Sequence, residues 1–396
     1  MTDSMERMAR EVAEQARLFD DCSAGVVAQC EAIIARHDFS KKIKKVYITG
    51  CGDSFCAGLC LRDLFVRTVK IHTEVYQAIE FSRYVCDYEV DDSSLVICIS
   101  SSGRVSRTVE CAMRAREKGA LSIAVTSNPD SKLAQAANEK VVLEIPENFG
   151  FAPGTKSYCA SLLALVCIAA ALGRSMGTMS DADVKALFDY ISKLGGVMRA
   201  TVEQSNNMIE RYIRAYYVED TPQKIRMFHL LGSGPNWGTA QFGAMKFLEA
   251  AGFDSIPQGI EEWAHTQYFT TRPGTHTVVI APRGEARGRA MEILQAVTVM
   301  DGKKIVIGEQ GDEELARCAD IFIPVCGMEN IREDLSPLVY AIPLELLAMH
   351  ISGCSEVPAF DFDNKPWRRE ENFRQIWGSK IVSLADAKKQ SASLLK

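Results

Sequence analysis

An internal duplication sets the fold class of this sequence. An apolar run that ends in a glycine turn and leads into a helical pattern occurs twice, as KKVYITGCGDSFCAG and as RMFHLLGSGPNWGTA. A second apolar run follows each motif, at residues 94–100 and 277–282. The first glycine of the turn and the glycine after the second run are 53 residues apart in one copy and 52 in the other. Such self-similarity at one spacing indicates a duplicated domain.

Both copies continue as alternating strands and helices. Further apolar runs typical of buried strands lie at residues 121–126, 141–145, 304–307 and 321–325, with amphipathic stretches between them. Continuous apolar strands that alternate with helices are typical of a parallel sheet covered on both faces. We therefore predict an α/β fold of two duplicated domains, each a parallel sheet flanked by helices on both faces.

The length of 396 residues suits two domains of about 150 residues each, with connecting segments. The predicted order is a helical arm at 1–36, a first domain at 37–180, a helical linker at 181–223, a second domain at 224–350 and a C-terminal tail at 351–396. We expect the tail to close the active site and its end, after Ser391, to fray.

Composition and charge limit the partners. Apolar residues make up 47% and charged residues 24% of the chain, which is typical of a soluble globular protein. The longest apolar stretch, residues 160–172, is shorter than the about 18 residues of a membrane helix, so we predict a buried core helix there. The N-terminus lacks the apolar centre of a signal peptide, which predicts a cytoplasmic protein without a membrane partner. A net charge of −6 disfavours nucleic acid as a partner.

The 13 cysteines form no CxxC pair and no spacing typical of zinc ligands. Cys51, Cys56 and Cys60 cluster most closely, about one helical turn apart beside the first glycine turn. We predict reduced thiols packed in the core and no bound metal. A metal or redox role is the alternative.

Two polar loops of the first copy follow predicted strands. One spans residues 50–54, and the other is the serine cluster 100–102 before Gly103, with Ser106 shortly after it. Ligands of open α/β sheets bind beyond the carboxyl ends of the strands, where hydroxyls and helix N-termini can hold phosphate. Ordinary turn and helix-cap chemistry is the alternative. The second copy has no serine cluster and neither copy reads GxGxxG, so we expect one phosphate site per chain and no nicotinamide cofactor.

Candidate acid–base groups lie in the second copy. Lys246 and Glu249 are three residues apart in the helix predicted after Gly234 and therefore share one face. Glu262 and His265 are also three apart, at a predicted junction between a strand and a helix. Taken alone, each pair is more typical of a surface ion pair or a helix-face contact.

The motifs together resemble those of the sugar isomerase (SIS) family. GCGDSFCAG, the ISSSG loop, the APGTKSY stretch and the set Lys246, Glu249 and His265 carry the resemblance. The sequence resembles double-SIS sequences such as the isomerase half of glutamine–fructose-6-phosphate aminotransferase, and the resemblance runs from about Met8 to about Val382. The glutamine-hydrolysing domain of those enzymes has no counterpart in this sequence, so we do not expect synthesis of an amino sugar from glutamine.

The resemblance implies a role for individual residues. It assigns the substrate phosphate to Ser54, Ser100, Ser101 and Ser102, with Gly52, Asp53, Ser106, Thr155 and Glu262 as further pocket residues. It makes Glu249 the proton carrier, Lys246 the nearby cation, His265 the ring opener and Lys380 the lysine that forms a Schiff base with the open-chain ketose. Asp53 and Val105 stand where the family has threonine, and His265-Thr266-Gln267 replaces its HGP, which leaves the identity of the substrate open.

The implied chemistry is aldose–ketose interconversion of a small sugar phosphate. It needs a ring opener, a carboxylate that moves a proton between C1 and C2, and a cation at the enolate oxygen, but no metal or organic cofactor. The resemblance also implies a homodimer with a shared site, in which the neighbouring chain donates the histidine. We expect release of ammonia from an amino-sugar phosphate or of an amino acid from a fructosamine phosphate. Plain isomerisation and a non-catalytic sugar-phosphate sensor are the alternatives.

Three tryptophans are candidates for the pocket. We predict Trp263 as a wall of the site, because it lies between Glu262 and Ala264. Trp367 and Trp377 belong to the arginine-rich segment NKPWRREENFRQIW, which could close the site or bind an anionic leaving group. The alternative is that this segment is a charged stretch that only covers the protein surface.

Overall fold

Two five-stranded parallel sheets form the framework of the computed structural model, which describes residues 3–37, 39, 43–145, 152–355, 366–387 and 389. The predicted fraying after Ser391 lies outside these residues. The strands are β1 (Lys45–Gly50), β2 (His72–Gln77), β3 (Ser94–Ile99), β4 (Leu121–Thr126), β5 (Glu139–Val142), β6 (Met227–Gly232), β7 (Ser255–Gly259), β8 (Thr275–Ile280), β9 (Lys303–Glu309) and β10 (Ile321–Val325).

Helices connect these strands and flank the sheets. The α-helices are α1 (Asp3–Glu14), α2 (Ser23–Arg36), α3 (Asp53–Val69), α4 (Ala78–Glu80), α5 (Cys86–Glu89), α6 (Ser106–Glu117), α7 (Lys132–Ala136), α8 (Lys156–Ser175), α9 (Asp181–Ile191), α10 (Leu194–Ile213), α11 (Pro235–Ala251), α12 (Ile260–His265), α13 (Arg287–Val299), α14 (Glu313–Ala316), α15 (Pro337–Cys354) and α16 (Pro366–Trp377). Shorter turns are of π type (Leu18–Cys22, Phe81–Val85, Arg214–Val218) or 3₁₀ type (Gln267–Thr270, Glu333–Leu335).

The two sheets have the same topology. Their strand orders are β2-β1-β3-β4-β5 and β7-β6-β8-β9-β10. Gly52 and Gly234, which follow β1 and β6, have nearly the same backbone angles, φ 56° and ψ −129° against φ 54° and ψ −130°. Glycine suits both positions because side chains rarely tolerate a positive φ. The predicted α/β fold of two duplicated, helix-flanked parallel sheets is confirmed.

The buried strands match the sequence pattern better than the edge strands. All six residues of β3 and of β8 are buried, because helices cover both faces of a parallel sheet. Strand β2 is not predicted by the pattern, since most of its residues are half-buried or exposed at the sheet edge. Strand β5 spans 139–142 and not the predicted 141–145, because Glu139 and Lys140 pair with β4 although they are charged.

The chain divides into two compact units, each made of three segments. The first unit contains Asp21–Ile145, Ser157–Asp189 and Phe362–Lys396, and the second contains Met1–Asp20, Pro146–Lys156 and Tyr190–Asp361. This division differs from the predicted boundaries, because the predicted arm and linker each contribute to both units. Met8 and Val12 of α1 are buried in the second unit, and Val26 and Ile33 of α2 are buried in the first.

Within the described residues, two helices are long and apolar enough to cross a membrane by length and composition. They are α8, whose apolar window is 94% buried, and α15, whose window is 83% buried. Burial of this extent is typical of core helices in a globular domain. The core helix predicted at residues 160–172 is therefore confirmed within α8.

The cysteines with described side chains are free thiols, and most of them are buried. Burial raises the pKa of Cys86 to about 12, which keeps this thiol protonated and unreactive. Cys56 and Cys60 are buried, as predicted for the cluster beside the glycine turn. The prediction is wrong for Cys51, which is exposed because it lies in the turn before α3 and not on the buried face of that helix.

Candidate active site

The serine loop of the first unit connects β3 to α6 and is held tightly in place. The Ser100 N–H donates to the Val125 carbonyl at 3.0 Å, and the Gly103 N–H donates back to the Ser100 carbonyl at 2.9 Å. Gly103 has φ 61°, and a Cβ there would collide with the side chain of Ser131. Ser106 is buried at the first position of α6. The loop thus has one defined shape before any ligand binds.

The loop contains one hydroxyl that has no partner. Ser100 is 3% exposed, and its Oγ makes no hydrogen bond within the described parts of the chain. In contrast, the Ser102 Oγ accepts from the Arg104 N–H at 3.3 Å, and the Ser101 Oγ lies 3.4 Å from the Ser127 Oγ. A buried unpaired hydroxyl costs about 1–3 kcal/mol, so a ligand acceptor at this position would recover free energy.

The glycine turn lies at the same edge of the sheet as the serine loop. Gly50 pairs with Ile99 in the parallel register of β1 and β3, so both loops begin side by side. A Cβ at Gly52 would meet nothing within 4 Å, which leaves open space before α3. Asp53 and Ser54 form the first turn of that helix and are half-buried. The structure therefore brings the predicted phosphate-binding loops together beside a helix N-terminus.

The equivalent edge of the second unit carries carboxylates where the first carries hydroxyls. Glu309 is 1% exposed and accepts hydrogen bonds from the Asn330 N–H at 2.7 Å, while Arg283 Nε lies 3.1 Å from its Oε1. A Cβ at Gly284 would collide with the Glu333 carboxylate. Negative charge at this edge disfavours phosphate. These contacts support the expectation of one phosphate site per chain.

An acid–base pair lies on α11 of the second unit. The Lys246 Nζ is 2.6 Å from Glu249 Oε2 and 3.2 Å from the Gly154 carbonyl oxygen. Lys246 is 0% exposed and its Nζ lies 5.0 Å from the centre of the Phe242 ring, whereas the Glu249 side chain is 39% exposed. The Lys246 ammonium is thus shielded from water, whereas the Glu249 carboxylate is accessible from solvent. This arrangement suits proton transfer between Glu249 and a ligand.

Thr155 lies beside this pair and is held by helix α1. Its N–H and its hydroxyl both donate to Glu11 Oε2, at 3.4 Å and 3.2 Å. The Lys156 N–H donates to the same oxygen at 3.4 Å, and Lys156 Nζ is 3.8 Å from Glu14 Oε2. Glu11 is not predicted from the sequence; its place in the segment that resembles the family is the only signal for it.

His265 and Glu262 lie on α12, away from these contacts. The His265 side chain is 65% exposed, and its Nε2 is 3.4 Å from Glu261 Oε1. Glu261 also accepts from Arg289 Nε at 2.6 Å, and Glu262 is exposed. Within the described chain His265 therefore pairs with Glu261 and not with Lys246. A catalytic role for His265 across a dimer stays a prediction.

Trp263 is part of the core and not of a pocket wall. It is 0% exposed, its indole N–H donates to His229 Nδ1 at 3.2 Å, and Tyr268 meets its ring edge-on. Burial lowers the pKa of His229 to about 4, so this imidazole is neutral and able to accept the bond. The predicted pocket role is wrong, because α12 turns Trp263 into the core while Glu262 faces solvent.

Lys380 lies in a segment that runs along α6 in the first unit. Arg107 donates hydrogen bonds to the Lys380 carbonyl and to the Ser379 hydroxyl. The Val382 N–H donates to Glu110 Oε2 at 2.7 Å, and the Lys380 side chain is exposed. The backbone of Lys380 is thus fixed at the start of α6, next to the serine loop.

Residues 40–171 match the family model described as the SIS domain, and this range contains both loops of the first unit. This third of the chain is similar to the SIS domain family. The chain is 27% identical over 348 residues to a glutamine–fructose-6-phosphate aminotransferase of Thermococcus kodakarensis, covering 87% of this chain and 54% of that protein. The enzyme of the same name from Bacteroides thetaiotaomicron is 27% identical over 353 residues, covering 88% of this chain and 55% of that protein. The chain thus spans about half the length of the curated relatives it matches.

Solved structures share the fold of this chain. The C-terminal domain of glucosamine-fructose-6-phosphate aminotransferase from Francisella tularensis has a TM-score of 0.76 at 20% identity, covering 88% of this chain and 96% of that one. Glucosamine-6-phosphate deaminase from Thermotoga maritima has a TM-score of 0.69 at 17% identity, covering 91% and 97%. Both similarities show the architecture.

A cavity beside the serine loop of the SIS domain involves the arginine-rich segment, which forms helix α16. Trp377 stacks on Phe373 with ring centres 4.0 Å apart, and the Arg104 guanidinium lies 5.1 Å from the Trp377 ring. Trp367 is 67% exposed. The cavity measures about 350 Å³ and is lined by Arg104, Asn128, Asp130, Ser131, Lys132 and Trp377. In the described residues no three His, Cys, Asp or Glu side chains gather as metal ligands would.

Proposed function

We propose that this protein is a phosphosugar enzyme of the aldose–ketose isomerase type that acts on a phosphorylated amino sugar or fructosamine. In the leading case glucosamine 6-phosphate and water give fructose 6-phosphate and ammonia. The contact between Lys246 Nζ and Glu249 Oε2 at 2.6 Å carries the proposal. A sensor would have no need of a buried lysine beside a reachable carboxylate.

Each of the two groups has one part in the proposed reaction. Glu249 takes the proton from C2 and returns it to C1, while Lys246 stabilises the negative charge on the enolate oxygen. The hydroxyls of the serine loop and of Ser54 hold the phosphate. His265 opens the sugar ring from the neighbouring chain of a homodimer, and Lys380 binds the open-chain ketose. The reaction takes place in the cytoplasm and uses no cofactor.

A substrate panel tests the proposal. Purified protein is incubated with glucosamine 6-phosphate, galactosamine 6-phosphate and several fructosamine 6-phosphates, and ammonia and free amino acids are measured. Release of either product supports the proposal. Deuterium uptake at C1 or C2 without release would identify a plain isomerase. Binding without uptake or release would identify a sensor and refute an enzymatic function.

Ser100→Ala tests whether the serine loop binds the phosphate of the substrate. We expect KM for the sugar phosphate to rise about tenfold, because a hydrogen bond to an anionic group is lost. The melting temperature should stay the same or rise, because the unpaired hydroxyl is removed. Ser161→Ala is the control, since Ser161 is equally buried but donates to the Ser157 carbonyl at 2.8 Å. An unchanged KM in Ser100→Ala would contradict phosphate binding by the Ser100 hydroxyl.

Deglycation is the second candidate, and the cavity beside the serine loop favours it. Arg104 and Lys132 make no ion pair within the described residues, and Asp130 lies among the lining residues. Two cations and one carboxylate suit the carboxylate and amine of an amino acid. We expect Arg104→Ala to lower kcat/KM for fructosamine 6-phosphates about tenfold relative to glucosamine 6-phosphate. Arg62→Ala is the control, since Arg62 is an exposed arginine of α3, and an unchanged ratio in Arg104→Ala would count against deglycation.

A further inference from the structure

A turn outside α11 contacts the acid–base pair. The Gly154 carbonyl accepts from Lys246 Nζ at 3.2 Å, while the same Nζ lies 2.6 Å from Glu249 Oε2. Because Lys246 is fully buried, protein groups and not bulk water direct its N–H bonds. Displacement of this turn therefore changes the geometry of the pair.

Glu11 holds this turn from helix α1. One oxygen of its carboxylate accepts from the Thr155 N–H, the Thr155 hydroxyl and the Lys156 N–H, at 3.4, 3.2 and 3.4 Å. Thr155 is 0% exposed and Lys156 is 1% exposed, so water has little access to replace the carboxylate. The two N–H groups open α8, where a negative charge is favourable because backbone donors there lack helical partners.

Helix α1 is itself fixed within the second unit. Lys156 Nζ lies 3.8 Å from Glu14 Oε2, one turn after Glu11. Just beyond the helix, the Gln15 side chain donates to Glu345 Oε2 at 2.5 Å, and both residues are almost fully buried. The part of the chain directly after Glu11 is thus anchored by the contacts of Glu14 and Gln15.

We propose that Glu11 is a positioning residue, which fixes the Gly154 carbonyl against Lys246 and so sets the reach of Glu249. The role rests on the proposed function of the pair. Glu11 does not touch the substrate. It acts through the hydrogen bonds of the turn, and its loss lets Lys246 and Glu249 separate.

Two variants and one control test this role. Glu11→Ala removes the acceptor of three hydrogen bonds, and Glu11→Gln keeps an acceptor oxygen at the same place. Glu6→Ala is the matched control, because Glu6 is exposed on the same helix. We expect kcat to fall between about tenfold and a hundredfold in Glu11→Ala, as misplaced reacting groups do, with KM nearly unchanged. Glu11→Gln should recover most of the loss.

An isotope effect separates positioning from loss of folded protein. If proton transfer has become slower, substrate deuterated at C2 will give a larger isotope effect on kcat in Glu11→Ala than in the unsubstituted protein. A smaller active fraction would leave the isotope effect unchanged, and that result overturns the proposal.

A crystal structure of Glu11→Ala tests the same point without turnover. A distance from Lys246 Nζ to Glu249 Oε2 beyond about 3.5 Å supports the proposal, since a hydrogen bond is then lost. A distance unchanged from 2.6 Å overturns it, whatever the substrate panel shows. Failure of the panel with separation of the pair would refute the proposed function and leave the positioning role in place.

Discussion

Glu249→Gln will lower kcat about 10³-fold, as expected when the group that transfers a proton is removed. The amide has nearly the shape of the carboxylate and still accepts a hydrogen bond from Lys246, but it cannot take a proton from C2. The change leaves the buried Lys246 ammonium with neutral acceptors, the new amide oxygen and the Gly154 carbonyl, so we also expect some loss of thermal stability. Ammonia or amino-acid release from the best substrate of the panel, followed at saturation, measures the effect.

The control for Glu249→Gln is Glu203→Gln on α10. Glu203 is exposed, so the same chemical change should leave both kcat and stability near their original values. Deuterium uptake at C1 or C2 should disappear together with release in Glu249→Gln, because both depend on one proton transfer. A variant that keeps kcat within threefold would show that another group carries the proton.

The sequence predicted the framework well because duplication and burial leave strong patterns. Strands β4 and β10 have the predicted bounds, and the two glycine turns adopt one backbone conformation. Fully buried parallel strands must be apolar along their length, so they are visible without knowledge of their neighbours. The pairing of Lys246 with Glu249 follows in the same way from helix periodicity.

Features that depend on contacts between distant segments were not predictable. Glu11 is an ordinary charge on a helix until the turn at Thr155 folds against it, 144 residues away. Trp263 lies between Glu262 and Ala264 in the sequence, and only the direction of the short helix α12 shows that it faces the core. His265 reads as an ion-pair partner of Glu262, yet the i,i+4 neighbour Glu261 takes that place.

The two copies of the fold have diverged in chemistry while keeping their topology. At the carboxyl ends of its strands, the first unit has small hydroxyl side chains, among them Ser100, whose Oγ makes no hydrogen bond within the described residues. At the equivalent edge of the second unit, Glu309 is buried and occupied by backbone donors and Arg283. Because we propose phosphate binding for the first unit alone, the second unit can carry carboxylates at this edge as structural groups.

Lys246→Met will lower activity without lowering the stability of the protein. We expect kcat to fall by about 10²–10³-fold, because a preorganised positive charge at the enolate oxygen is lost. Removal of the buried ammonium also removes its desolvation cost, and the flexible methionine side chain can fill the space against Phe242. Glu249 stays hydrated on its exposed side, so the free energy of unfolding should not fall.

Thermal unfolding and turnover of Lys246→Met, measured on one preparation, check this prediction. Lys246→Arg is the matched variant: it keeps the charge, but its larger head group has to fit between Glu249 and the Gly154 carbonyl, where Nζ now makes contacts of 2.6 Å and 3.2 Å. We therefore expect Lys246→Arg to melt at a lower temperature than Lys246→Met. A lower melting temperature with retained turnover in Lys246→Met would make Lys246 a structural group, whereas an inactive variant of undiminished stability places its charge in the reaction.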